Sequence, residues 1–158
     1  MKKGAIAVLS SLIGATAGTV TTGIIKGKTI QQKEKKVDKF KTYYNILNQW
    51  LILKQEGKTL EKFFKDNNYK TIAIYGMGEM GNRLYEDLRN TDIEVKYAID
   101  KDAGSCYTEL VVKDLEDELE EVDAVVVTAV FAIDEIKKEI KEQLNVPTIS
   151  LEDVVYEA

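Results

Sequence analysis

The pattern of hydrophobic and polar positions changes twice along the chain. No charged residue occurs from Gly4 to Ile25, a length sufficient for a helix to cross the hydrocarbon core of a bilayer. Residues 31–55 show an amphipathic helical pattern, and from residue 71 onward short apolar runs alternate with amphipathic segments. The pattern predicts a transmembrane anchor over residues 1–28, a helical lead-in over 29–68 and an α/β domain over 69–158.

Lysines flank the uncharged segment on both sides, and five of them follow it between Lys26 and Lys36. The positive-inside bias therefore predicts a single-pass protein of the cell membrane whose C-terminal domain is cytoplasmic. Small residues recur every four positions at Ser10, Gly14, Gly18 and Thr22, a face through which two such helices could associate into a homo-oligomer.

Two alternatives for this segment stay open. Lys2, Lys3, the apolar run after them and the sequence Ala15-Thr16-Ala17 resemble a cleavable signal peptide. The high content of Gly, Thr and Ser also makes the segment only marginally hydrophobic, so it could instead lie on a membrane or pack within an oligomer.

The lead-in carries an apolar stripe at alternating spacings of three and four residues. The stripe consists of Val37, Phe40, Tyr44, Leu47 and Leu51, with Tyr43, Ile46 and Trp50 beside it. We expect the stripe to pack on the following domain as core. The alternative is a coiled coil with a partner, for which the two heptads before Lys54 are short.

The α/β domain begins with an apolar run over residues 71–75, which enters a Gly-x-Gly-x-x-Gly turn and then a helical pattern. The turn consists of Gly76, Met77, Gly78, Glu79, Met80 and Gly81. In a nucleotide-binding turn of this kind, the first glycine permits the tight bend, the second lets the backbone approach a pyrophosphate, and the third allows close packing of helix on strand. The N–H groups of the helix N-terminus then face the phosphates.

A second strand over residues 95–100 ends at Asp100, about 20 residues beyond the glycines, where a dinucleotide fingerprint places the acid that binds ribose hydroxyls. The alternative is a carboxylate that begins a turn beside Lys101 and Asp102. Lys101 could also meet a 2′-phosphate, so NAD is only mildly favoured over NADP.

The rest of the domain continues the alternation of strands and helices. We expect a short strand at 110–112, an acidic amphipathic helix through Leu115, Leu119 and Val122, a buried strand at 123–129, a further helix and a final strand at 148–151. Together these elements predict a Rossmann-like α/β fold with a five-stranded parallel sheet in the order 3-2-1-4-5. Thr128 and Ala129 would then line the cleft opposite the glycines.

Composition removes several classes of function. The chain has no histidine, which excludes the commonest general base and most zinc sites. Its one cysteine, Cys106, has no histidine to activate it, and the net charge of -5 argues against nucleic acid as a partner. Tyr97 and Lys101 match the spacing of short-chain dehydrogenases but run along a strand into a turn. We therefore predict no catalytic and no metal-ligating residues.

Three stretches together resemble the small Rossmann modules of bacterial surface-polysaccharide proteins: residues 74–85, residues 97–100 and residues 126–129. Such modules include the N-terminal domain of sugar acetyltransferases and modules attached to glycosyltransferases or methyltransferases. The resemblance covers residues 69–151 and implies that Gly76, Gly78, Gly81 and Asp100 bind NAD(P) or a nucleotide sugar. The repeat domain that carries the acetyltransferases' histidine base is absent from this sequence, so the resemblance does not extend to their activity.

These features predict a membrane-tethered module that binds a small nucleotide ligand and serves surface-glycan biosynthesis as an accessory protein or sensor, with a glycosyltransferase as a possible partner. One alternative is a minimal NAD(P)-dependent oxidoreductase or epimerase completed by oligomerisation. Another is a structural protein whose site has decayed.

Overall fold

A computed structural model describes residues 32–106 and 108–158 of the chain. The chain divides into two units between residues 44 and 45, and each is described by itself. The predicted anchor and its small-residue face lie outside the described residues. None of the helices within the described ranges combines the length and the hydrophobicity needed to span a bilayer.

The lead-in forms one helix over residues 32–55, here called α1. Within the second unit, its buried face carries Ile46, Trp50 and Leu53, which are 0%, 6% and 4% exposed. Within this unit the expectation that the apolar stripe would form the core is wrong, because its members Leu47 and Leu51 are exposed. A helix with a broad apolar face offers two candidate stripes, and spacing alone does not decide which one is buried.

Five parallel strands form a single sheet in the order β3-β2-β1-β4-β5. Their bounds are Thr71–Tyr75 (β1), Glu94–Ile99 (β2), Val112–Lys113 (β3), Ala124–Val127 (β4) and Thr148–Ser150 (β5). This arrangement confirms the predicted α/β fold and its strand order. Tyr75, the last residue of β1, pairs with Ile99 on one side and with Val127 on the other, so three strands end at the same edge.

Helices follow three of the strands. Their bounds are Glu79–Leu88 (α3), Ile133–Gln143 (α4) and Leu151–Glu157 (α5), and a shorter helix, Glu61–Asp66 (α2), precedes the sheet. Side chains alternate between the two faces of each strand. On one face Tyr75, Ile99 and Val127 pack with Ile136 and Ile140 of α4. The other side chains of β1 are also buried, and α3 contacts β1 and β2.

The acidic helix expected at Leu115, Leu119 and Val122 does not form. Residues 115–117 make a turn, and the chain then runs irregularly to β4. Local side chains bond the backbone here: the Asp117 carboxylate accepts the N–H of Asp114 at 2.8 Å, and the Asp114 carboxylate accepts the N–H of Glu116 at 3.1 Å. Short acidic side chains compete with helical hydrogen bonds in this way, and the helical spacing of the leucines does not overcome it.

Asp123 joins the starts of β1 and β4, at the edge of the sheet opposite the glycine turn. Its Oδ2 accepts the N–H groups of Lys70 and Thr71 at 2.7 and 2.8 Å and the Thr71 hydroxyl at 3.1 Å. These bonds favour the ionised carboxylate, so the backbone N–H groups of Thr71 and then Lys70 hold the pKa of Asp123 below its usual value of 3.8.

We predict that Asp123→Asn lowers the free energy of unfolding at pH 7. A carboxyl whose pKa is lowered by folding stabilises the protein above its unfolded pKa and loses that contribution as the pH falls through the folded value. The difference between wild type and variant should therefore be constant above about pH 5 and shrink below pH 3.8. Urea unfolding across this range measures it. Glu142→Gln, at an exposed carboxylate of α4, is the control for loss of a negative charge without loss of the bonds to Lys70 and Thr71.

Candidate functional site

The glycine turn connects β1 to α3 at the edge where three strands end. Gly76 adopts φ +94°, a left-handed conformation that glycine accepts without strain. A Cβ atom at Gly76 would lie 2.7 Å from the Oγ1 of Thr128 on the neighbouring strand, which leaves no room for a side chain. The N–H of Gly76 donates to the carbonyl of Ile99 at 2.8 Å, so the turn continues the pairing of β1 with β2.

Gly81 sits in the first turn of α3 and faces back toward the end of β1. A Cβ atom there would overlap the carbonyl oxygen of Gly76 and come within 3.1 Å of the Met77 sulfur. The absence of a side chain at Gly81 therefore lets α3 lie directly on the turn, as the sequence predicts for the third glycine.

Gly78 differs from the other two glycines of the turn. Its backbone is extended, with φ -73° and ψ -161°, and a Cβ atom there would meet nothing within 4 Å. Neither backbone strain nor packing within the described chain requires a glycine at this position. Gly78 is the N-cap of α3, and among the described residues no side chain forms a cap hydrogen bond, so the N–H groups of the first turn are available to an external acceptor.

Asp100 follows β2 and contacts the turn directly. Its Oδ2 accepts the N–H of Met77 at 2.7 Å, and its Oδ1 accepts the N–H of Asp102 at 2.9 Å. Asp100 thus begins a turn, as the structural alternative expects, and also holds the glycine turn against the end of β2. Each carboxylate oxygen keeps a further lone pair, so the side chain can still accept a hydrogen bond from a ligand hydroxyl.

An open cleft of about 520 Å³ lies over this arrangement. Its lining combines predicted residues, namely Met77, Gly78, Glu79 and Asp100, with four that were not predicted as binding residues, namely Asn82, Arg83, Asp102 and Cys106. Asn82 braces the turn, because its side-chain amide donates to the carbonyls of Met77 and Gly78 at 3.2 and 3.1 Å. The sequence could have indicated this role, because Asn82 lies four positions after Gly78 and residues four apart on a helix are neighbours.

The remaining predicted residues lie around the cleft rather than along it. Thr128 is 4% exposed and lies beneath the turn, where its hydroxyl donates to the carbonyl of Gly76 at 2.7 Å. Ala129 follows it, and its backbone nitrogen lies 3.8 Å from the Cβ position of Gly76. Met80 is half-buried in the first turn of α3. Lys101 extends toward α4, where its Nζ lies 3.4 Å from Glu139 Oε1.

The pKa shifts and hydrogen bonds of the titratable groups near the cleft disfavour their use as nucleophiles. Burial, followed by the charges of Asp100 and Asp102, raises the pKa of the Cys106 thiol, so the thiolate is disfavoured. Burial and Glu139 raise the pKa of Tyr75 to about 12. Tyr97 donates its hydroxyl to the carbonyl of Glu120 at 2.7 Å, whereas Lys101 pairs with Glu139, so Tyr97 and Lys101 do not act together.

The carboxylates of Glu79, Asp100 and Asp102 line the cleft. Within the described ranges, no group of three or more metal-ligating side chains is positioned to hold a metal ion.

One family model, described as C2185-like, N-terminal, matches residues 67–150. The match covers more than half of the 158 residues and contains all five strands, the glycine turn and the cleft. No curated protein and no solved structure matches the chain.

The three glycines should respond differently to alanine. Gly81→Ala should cost about 1–3 kcal/mol because its Cβ overlaps the turn, and Gly76→Ala should cost a similar amount because its φ is left-handed. Gly78→Ala should stay within about 1 kcal/mol of wild type, since it only exchanges the N-cap residue. Urea unfolding measures all three; a Gly78→Ala variant as unstable as Gly81→Ala would contradict this account of the turn.

Proposed function

We propose that this chain, which belongs to the C2185-like, N-terminal family, binds a nucleotide-containing small molecule in the cleft over the glycine turn. The observation that carries the proposal is the environment of Gly78. Gly76 and Gly81 are explained by the fold, but the space in front of Gly78 is open and borders the cleft. A phosphate can approach the backbone N–H groups of a helix N-terminus closely when the residue there is glycine, because no side chain stands in between.

The ligand we infer has a pyrophosphate and a ribose with free hydroxyls. The pyrophosphate would accept the N–H groups at the start of α3, which no side chain caps. The ribose would donate to Asp100, which two backbone N–H groups hold in place at 2.7 and 2.9 Å. NAD and nucleotide sugars both carry these groups.

Charge favours a ribose without a 2′-phosphate. Three carboxylates line the cleft, those of Glu79, Asp100 and Asp102, and Arg83 is the only cation among the lining residues. Lys101, the candidate partner of a 2′-phosphate, pairs with Glu139 instead. An additional phosphate beside Asp100 would therefore be repelled, which favours NAD or a nucleotide sugar over NADP.

The proposed setting is surface-glycan biosynthesis, with the module held at the cytoplasmic face of the cell membrane as an accessory or sensor beside a glycosyltransferase. The resemblance of the glycine turn and the strands around it to polysaccharide-protein modules supports this setting. The uncharged segment from Gly4 to Ile25 and the lysines after it support the tether.

Isothermal titration of the full chain in mild detergent against NAD, NADP, UDP-sugars and coenzyme A tests the proposal. We expect NAD or a UDP-sugar to bind, and NADP to bind more weakly than NAD. Gly78→Val should weaken binding at least about tenfold, because its side chain fills the space reserved for phosphate.

The matched control is Gly104→Val, since Gly104 also has open space around its Cβ position but does not line the cleft. It should bind like wild type. Absence of binding by every ligand, or unchanged binding by Gly78→Val, would contradict the proposal.

A further inference from the structure

The part of α1 that belongs to the first unit, residues 32–44, carries an apolar surface on one side. Val37, Phe40 and Tyr44, here called the exposed strip, are 50%, 74% and 69% exposed. Spacings of three and four residues place them on the same side of the helix. We propose that the exposed strip lies on an anionic membrane surface, with flanking lysines bound to the lipid headgroups.

The side chains of the exposed strip suit the boundary between water and acyl chains. Phe40 and Tyr44 are the two most exposed large hydrophobic side chains among the described residues. Adjacent exposed apolar side chains mark sites where a protein meets another protein or a membrane. Tyrosine combines an apolar ring with a polar hydroxyl, and aromatic rings of this kind are enriched at the level of the headgroups.

Lysines border the exposed strip on both sides. At about 100° per residue, Lys36 lies on one flank of the strip and Lys41 on the other, and both are exposed. Neither lysine forms an ion pair with a residue in the described ranges. A lysine can lay its aliphatic stem along an apolar surface while its ammonium group reaches a headgroup phosphate.

The stretch around the exposed strip is basic although the protein as a whole is acidic. Residues 32–44 contain five lysines and two carboxylates, a net charge of +3, whereas the whole chain carries -5. Anionic lipids attract a cluster of lysines close to the membrane surface. A helix with an apolar aromatic face and a lysine-rich polar face is typical of helices that lie in the membrane interface.

The flanking lysines argue against a second copy of α1 as the cover of the strip. In a coiled coil built on Val37 at an a position and Phe40 at a d position, Lys36 is a g residue and Lys41 an e residue. A parallel pair places Lys36 against Lys41 of the other copy, and an antiparallel pair places each lysine against its own counterpart. Both arrangements bring like charges together, whereas lipid phosphates would neutralise them.

The position of the strip along the chain favours lipid over an acidic protein. Four peptide steps separate Lys28, the end of the proposed anchor, from Gln32, where α1 begins in the structure. An extended chain covers about 3.5 Å per residue, so α1 begins within roughly 14 Å of the end of that anchor. This step rests on the proposed tether, which places residues 32–44 beside the anionic cytoplasmic leaflet.

A fluorescent label at the exposed strip tests the proposal. The full chain, with Val37→Cys in a Cys106→Ser background, is labelled with nitrobenzoxadiazole and reconstituted into vesicles of phosphatidylcholine, with or without phosphatidylserine. We expect brighter emission at shorter wavelength only with phosphatidylserine, because docking surrounds the label with lipid. The matched control is Thr42→Cys, which lies about 140° around the helix from residue 37 and should show no such difference.

Two double variants of the Val37→Cys chain separate the flanking lysines from total charge. Lys36→Gln with Lys41→Gln should weaken docking at least about tenfold, as the phosphatidylserine content needed for the emission change will show. Lys137→Gln with Lys138→Gln removes the same charge from exposed positions of α4 and should dock like the parent chain.

The outcomes separate docking of the strip from the tether. A chain that stays in solution with both kinds of vesicle overturns the tether and the docking together. A chain held by the vesicles whose label at residue 37 gives the same emission in both lipids, or responds like the label at residue 42, overturns the docking alone. A response in lipid-free detergent that grows with protein concentration would assign the strip to a second copy and also overturn it. Nucleotide binding is measured by the separate titration and is unaffected by either result.

Discussion

The close contact between α3 and the end of β1 is the constraint on which the candidate site depends. Gly81 rests against the carbonyl of Gly76, and Thr128 supports that carbonyl from below with a hydrogen bond of 2.7 Å. Asp100 holds the next residue of the turn, Met77, from the side of β2. Three neighbouring strands thus fix the turn, and the N-terminus of α3 is directed at the cleft as a consequence.

The three glycines of the turn have different roles in this arrangement. Two of them are required by the packing of the turn itself, so their presence alone says little about a ligand. Gly78 is not required in that way, and it is the glycine that borders open space. Asp100 likewise has two roles, because the bonds that hold the turn also fix the carboxylate in the orientation in which a ribose would meet it.

The sequence predicted the sheet well because its strands are short, apolar and bounded by turn residues, and because parallel connections allow few topologies. The spacing from the glycines to Asp100 spans one β-α-β unit, and the turn and Asp100 do meet at one edge of the sheet. Thr128 was expected to line the cleft, but it lies beneath the glycine turn. Its position at the end of a strand does not tell which of these two directions a small polar side chain takes. Asn82 and Arg83 were missed because their role comes from the exposed face of α3, which carries no motif.

The two wrong expectations about helices share a physical cause. For α1 and for the segment after β3, helical spacing of apolar residues was taken to define the buried face. In α1 the side chains of Ile46, Trp50 and Leu53 are buried instead, and after β3 acidic side chains bond the backbone at Asp114 and Glu116. Periodicity identifies amphipathic segments, but it does not determine which of two faces is buried or whether local hydrogen bonds compete with the helix.

Hydrogen–deuterium exchange of the full chain, with and without saturating NAD or UDP-sugar, tests the central claim most directly. If the cleft over the glycine turn is a nucleotide site, at least one of these ligands should slow exchange in peptides covering residues 76–83 and 99–106, with α5 unchanged. Unaltered exchange in both peptides with every ligand, or protection confined to α1, would contradict it.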